Sequence, residues 1–292
     1  MNSITGFYRL TCLLVSLLLA TPVQALSPVW MVEKNGARAF VGGTMHILTA
    51  EDYPLPNAFE TAYRQSGEIV FETDMAKMQD PAFQQHLLGA VSYHDGRKLR
   101  QVISADTYSA LTAFFTERGV AMASIDNFKP GMVATLMTIV ELQRLGVNGV
   151  GVDAYFNQRA VSDGKALGQL ETVEEQVDFI ANMGAGQEDA MLNYNLADIE
   201  RLADLWQSMT QAWRGGDLAW LEQQVALPMQ QDFPEVYQTL LVDRNDAWIP
   251  QLEAMFTSAQ VEFVLVGALH LVGQDGLLAK LGARGYRITQ LP

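Results

Sequence analysis

The sequence predicts an α/β fold: a central, largely parallel sheet built from two β-GxxH-α-β units, with a large helical insertion between them. Three observations carry this. "FVGGTMHIL" near one end and "FVLVGALHLVG" near the other repeat a single phrase: an apolar run, a glycine, two spacers and a histidine. Each phrase is followed by a helical pattern and a further apolar run, the order of parallel strands joined by a right-handed crossover. Between the two units the chain carries long apolar patterns at helical spacing.

The first element is a targeting segment. Leu10 to Ala20 is almost unbroken apolar sequence, preceded by Arg9 and followed by a small-x-small end at Val23 and Ala25. It is shorter than the roughly 20 residues a spanning helix needs. A signal peptide over 1–25 is therefore expected, with 26–292 as one exported domain, periplasmic or secreted. Cys12, the single cysteine, lies inside that segment, so disulfide, thiolate-ligand and thiol-nucleophile chemistry are excluded from the mature chain. The formal net charge of −14 makes nucleic acid and anionic lipid poor partners. No stable membrane anchor is expected after cleavage, and the oligomeric state stays open.

Arg38 to Gly42 reads as the first strand, running into Gly43-Thr44-Met45-His46. A short helix follows in "PLPNAFETAYRQSG", with Asn57 and Glu60 spaced as a capping box and Gly67 as a stop. Ile69 to Phe71 is a buried strand ending at Glu72. Parallel strands place their C-terminal ends on one rim, where α/β proteins bind ligands, so His46 and Glu72 are expected together. "KPGMVATLMTIVELQRLG" is a helix opened by Pro130, its methionines read as core packing. "GVDAYFNQRAVSDG" is another, with Asp153 in its acid-favouring first turn. "KALGQLE" is a strand ending at Glu171, and Thr172 and Glu175 cap the helix beyond it. About 187–226 is a helical insertion over the sheet, anchored by Trp206, Trp213 and Trp220. Arg244 and Asn245 in "VDRNDAW" precede a helix carrying Trp248. Val261 to Val266 is a strand that leads to His270, then come a helix over Gln274 to Leu281 and a last strand in "YRITQL".

Two imidazoles and a carboxylate on one rim are a common set for a divalent metal. Such an ion lowers the pKa of bound water and polarises a carbonyl, the requirements of hydrolysis. Glu72 suits either role, metal ligand or general base. The plain alternative is a pair of hydrogen-bonded histidines at strand ends. His86 and His94, in a polar stretch without a partner phrase, read as surface. Arg244 suits a clamp on a carboxylate or carbonyl oxygen, or an ordinary ion pair. Asp153 and Glu171 admit either a structural or a chemical role. No Gly-x-Ser-x-Gly phrase supports a serine nucleophile.

The phrases "VGGTMHIL", "IVFETDM", "GVDAYFNQRAVSDGKALGQLETVEEQ", "LVDRNDAWIPQLE" and "VLVGALHLVGQDGLLAKLGARGYRI" occur in an order that resembles the TraB/PrgY/GumN family, which includes the Tiki proteins. The resemblance implies a metal-dependent protease acting on a peptide or protein substrate. His46, His270 and Glu72 would be its metal residues, and the ion manganese or cobalt, with zinc as a further option. Glu171, Arg244 and Asn245 match further family positions and stand as catalytic candidates, with Glu72 among them. Arg244 and Asn245 would orient substrate or stabilise a developing oxyanion. The related superfamily includes proteins similar to erythromycin esterase and the haem-binding ChaN. A carboxylic-ester hydrolase and a non-catalytic haem or small-ligand binder are thus the competing expectations, beside a peptide-sequestering interaction module.

Overall fold

The computed structural model describes residues 26–258 and 260–292; the expected signal segment lies outside them. Among the described residues there are eight strands: β1 Val29–Lys34, β2 Ala37–Thr44, β3 Ile47–Leu48, β4 Glu68–Phe71, β5 Gly149–Val150, β6 Ala166–Gln169, β7 Glu262–Gly267 and β8 Arg287–Gln290. Six form one sheet in the order β6-β4-β7-β2-β1-β8. The pairs β6/β4, β4/β7 and β7/β2 are parallel, while β1 runs antiparallel to β2 and to β8. The C-terminal unit therefore inserts its first strand, β7, between the two strands of the N-terminal unit, β2 and β4.

Strand β1 was not among the expected elements. It forms a hairpin with β2 through Asn35 and Gly36, whose φ values of 53° and 86° suit the two-residue turn that matches strand twist. The Asn-Gly pair was the sequence signal for it.

Helices cover both faces of the sheet. They are α1 Asn57–Gln65, α2 Pro81–Ala90, α3 Ala105–Glu117, α4 Met122–Ile125, α5 Pro130–Arg144, α6 Val152–Asp163, α7 Val173–Asn182, α8 Glu188–Arg214, α9 Leu218–Leu221, α10 Leu227–Asp232, α11 Pro234–Tyr237, α12 Asp243–Met255 and α13 Leu277–Ala283. Strand residues alternate between the faces. Phe40, Ile69, Phe71, Phe263 and Leu265 pack with Phe59 of α1 and Phe156 of α6. Val41, Val70, Val264 and Val266 pack with Trp248 and Leu252 of α12 and Leu277 and Leu281 of α13. Near-continuous apolar strands such as "FVLVG" follow from burial on both faces. A separate core joins α3, α5 and α8 around Leu111, Phe115, Met137 and Leu192. Met137 is fully buried there, in keeping with a packing role.

Several local expectations change. Asn57 does not cap α1: Pro56 stands at the N-cap, without a side-chain cap bond. Glu60 instead pairs with Arg64 one turn on and with Arg159 of α6, because charged donors on the exposed flank outbid a backbone amide. The Thr172–Glu175 box is present at α7. Arg244 and Asn245 lie within the first turn of α12 rather than before it, because a π-helical turn over Gln238–Val242 runs straight into that helix. The helix expected from Gln274 starts later, at Leu277, and His270 rides on a separate 3-10 turn over Ala268–Leu271. Among the described residues no helix is long and apolar enough to cross a membrane.

Candidate active site

Three adjacent parallel strands deliver the central side chains. β2 leads to His46, β7 to His270 and β4 to Glu72, with Thr44 in register with Gly267. Because β2 and β7 are hydrogen-bonded neighbours, the two glycine-histidine phrases lie side by side although the chain places them at opposite ends. Gly267 is the point of convergence. A Cβ there would stand 3.3 Å from Glu72 Oε1, 3.7 Å from His46 Nε2 and 3.7 Å from the His270 ring. Its own N–H donates to Glu72 Oε1 at 2.6 Å.

Each histidine is held from behind. Asn245 donates its amide hydrogens to the carbonyls of His270 and Asp275, at 3.2 and 2.8 Å. Its Oδ1 therefore faces His270 Nδ1, at 2.7 Å, and that nitrogen carries the proton. His270 Nε2 keeps a lone pair, directed at Arg244 Nη1 3.1 Å away. Burial is the main cause that pushes the His270 pKa down to about 3; the nearby Arg244 charge adds to it and Glu72 opposes it. His270 is neutral at physiological pH.

His46 has the same arrangement with a stronger partner. Its Nδ1 stands 2.9 Å from Asp153 Oδ2, and Thr44 Oγ1 donates to the other oxygen of Asp153 at 3.1 Å. The Asp153 carboxylate raises the His46 pKa to about 9, against the opposing effect of desolvation. The ring is 65 % exposed, so water screens this coupling. Asp153 arrives through a two-stranded ribbon, in which β3 pairs antiparallel with β5 just before α6. Gly151 makes that approach possible: a Cβ would lie 2.0 Å from the His46 carbonyl oxygen. Asp153 is buried at 6 % exposure, and the sequence had left its role undecided.

Arg244 ties the carboxylates together. It donates from Nη2 to Glu72 Oε2 at 2.6 Å and forks onto Glu171 at 3.0 and 2.7 Å, with its guanidinium carbon 4.7 Å from the centre of the Trp248 ring. Backbone amides of Leu170 and Glu171 donate to the Glu72 carbonyl, which aligns the two strand ends. Burial disfavours ionised Glu72, but the charges of His270 (once protonated at acid pH), Arg244 and His46, with the Gly267 N–H, outweigh it and hold the pKa at about 2. Burial raises the Glu171 pKa, with Arg244 opposing.

Five of the six candidate residues thus stand on one rim, His46, Glu72, Glu171, Arg244 and His270, with Asn245 behind it. Arg244 opens on the clefts above the rim, whereas Asn245, at 1 % exposure, is engaged wholly behind His270. His86 and His94 are exposed and lie outside this group. Among the described residues no three His, Cys, Asp or Glu side chains are arranged to grip a metal ion; Arg244 takes the hydrogen-bonding positions on His270 and Glu72. Chemically the donors suit one. His46 turns Nε2 toward Gly267, and His270 turns its Nε2 toward Arg244, 3.9 Å from Glu72 Oε1. Each ring has Nδ1 held from behind, the support that metal-ligating histidines usually have.

The helical insertion supplies a wall facing the rim. Trp213 Nε1 donates to the Gly43 carbonyl at 2.8 Å and fixes α8 at the end of β2. Together with α5 and two π-helical turns, over Glu222–Ala226 and Gln238–Val242, it lines an open cleft of about 420 Å³ beside the two histidines. π turns recur at functional sites.

A family model described as TraB/PrgY/gumN matches residues 28–290, nearly the whole chain. No curated protein and no solved structure matches the chain significantly.

Proposed function

The chain belongs to the TraB/PrgY/gumN family, and from that premise we propose that it is an exported, metal-dependent hydrolase of peptide bonds. One observation carries the reading: His46, His270 and Glu72 converge over Gly267, with both imidazole Nδ1 atoms engaged behind, His46 Nε2 facing Gly267 and His270 Nε2 3.9 Å from Glu72 Oε1. His46 Nε2, His270 Nε2 and a Glu72 oxygen would hold a divalent ion, with manganese or cobalt favoured and zinc admissible for this donor set. When bound, the ion supplies a Lewis acid and an acidified water.

The chain's own groups do the rest. Asp153 and Asn245 fix the two rings in orientation and tautomer. Glu72, ionised across the neutral range, serves as ligand or as acceptor of a proton from water. Arg244, clamped by Glu171, spends its five N–H groups on Glu171, Glu72, His270 Nε2 and the Leu240 carbonyl. It would stabilise the oxygen of a carbonyl under attack by exchanging its contact with His270 or Glu72 for that oxygen. Asn245 acts through His270 as a positioning residue rather than on the substrate.

The deciding experiment compares the mature protein, residue 26 onward, with a His46→Ala, His270→Ala double variant after loading with manganese or cobalt. The expected outcome is bound metal and peptide hydrolysis in the parent and neither in the variant. Equal metal content in both, or none in either, overturns the proposal. A second reading, a haem or small-ligand binder, is favoured by the apolar cavity beside the exposed His46 ring. It requires a Soret band on adding haem and no hydrolysis of any peptide.

A further inference from the structure

The rim lies where two clefts meet, and both include His46, Glu72, Leu240 and Arg244 in their walls. They differ in character. The cleft of about 420 Å³ is bounded away from the rim by Thr138 and Leu142 of α5, Trp206 and Met209 of α8, and Val225 and Leu240 of the π turns. The other, about 380 Å³, mixes Glu175, Gln176, Asp243 and Gln251 with Phe179, Ile180 and Trp248. We propose that the apolar cleft is a side-chain subsite that receives one large apolar residue of an extended peptide, next to the bond held at His46, Glu72 and His270. This rests on the peptidase reading above.

The occupant follows from the surroundings. Thr138 donates its hydroxyl to the Ala134 carbonyl, and the charged and ionisable side chains of the cleft belong to the rim. A charged side chain deep inside would therefore lose its hydration without gaining a charged partner. A leucine- or phenylalanine-sized side chain meets mainly apolar walls, from Leu142, Trp206, Met209, Val225 and Leu240. The cleft is also continuous with the reacting rim and, across it, with the second, mixed cleft. That leaves room for main chain on both sides of the rim, an arrangement a small free ligand would not need. Arg244 stands between the two clefts, where a main-chain carbonyl would pass.

The test uses five blocked heptapeptides that differ at one central position: Phe, Leu, Ala, Lys or Asp. Binding is measured calorimetrically on the mature protein without added metal, and cleavage after loading with manganese. The Phe and Leu peptides should bind at least about tenfold more tightly than the other three, the scale on which apolar pockets discriminate. Thr138→Trp, which narrows the cleft, should reduce that preference to below about threefold. Should that variant not fold, Met209→Ala, which widens the cleft, should move the preference toward a Trp peptide. Equal binding of all five, or a preference that a folded variant leaves unchanged, overturns the subsite. Preferential binding without cleavage under any metal keeps the subsite and removes the peptidase reading. Cleavage without preference does the reverse.

Discussion

At the residue scale the site is organised by partners behind the histidines. Asp153 and Asn245 do the same geometric task with different charge, and the difference is visible in the rings: His46 is pushed up to about 9 and His270 down to about 3. A histidine whose folded pKa is raised adds stability that is complete below its ordinary value of 6.5 and is lost as pH rises through about 9. The metal-free protein should therefore lose urea resistance between those values, with the loss reduced in Asp153→Asn; equal losses in both proteins would remove Asp153 as the cause. Glu262, at the other end of β7, gives the same sign for a different reason. It is 2 % exposed, Ser258 donates to one oxygen at 2.7 Å, and the other has no partner among the described residues. Burial raises its pKa, so the folded state holds the proton more tightly and stability falls as pH rises through the folded value. Glu262→Gln should raise the melting temperature at pH 7.5 and have little effect at pH 4, as scanning calorimetry would show.

At the element scale, close approaches decide which segments can meet. Gly131 in the first turn of α5 leaves no room for a methyl: a Cβ would lie 2.0 Å from the Ile180 carbonyl oxygen of α7. Gly131→Ala should cost about 1–3 kcal/mol in chemical denaturation, the usual penalty of overpacking; a neutral effect would mean that the two helices separate freely. Gly151 performs the same service for the β3/β5 ribbon and hence for Asp153. The π turn over Gln238–Val242 sets the register of α12, and with it the direction in which Arg244 points. Helix caps were legible where a threonine and a glutamate had no stronger competitor, as at Thr172 and Glu175. At Asn57 and Glu60 the same spacing failed because Arg64 and Arg159 lay within reach of the glutamate.

At the scale of the whole molecule, a parallel sheet brings three strand ends to one rim and a helical insertion roofs it. Any ion that binds the folded rim and not the unfolded chain stabilises the protein by mass action, by about 2.7 kcal/mol at a hundredfold excess over its Kd. Manganese or cobalt should thus raise the melting temperature of the parent in proportion to the logarithm of concentration. The His46→Ala, His270→Ala variant should show no such slope; a matching slope would place the ion elsewhere. The acidic surface, net −14 over the full sequence, favours cation uptake in general, which makes the double variant the necessary control.

The sequence by itself determined the α/β class, the positions of the two glycine-histidine phrases, Glu72 at its strand end and most of the helices. These are local signals: apolar runs, helical periodicity, and glycines where strands stop. Tertiary structure decided that β7 lies between β2 and β4, the arrangement that makes one centre of two distant phrases. It also gave Asp153 its contact with His46, from 107 residues away, through a ribbon of four residues too short to carry a pattern. The separation of Arg244 from its neighbour Asn245 was likewise tertiary, one opening on the clefts and the other buried behind His270. Periodicity reports which face of an element is buried; only packing decides which buried faces, and which polar groups between them, come to meet.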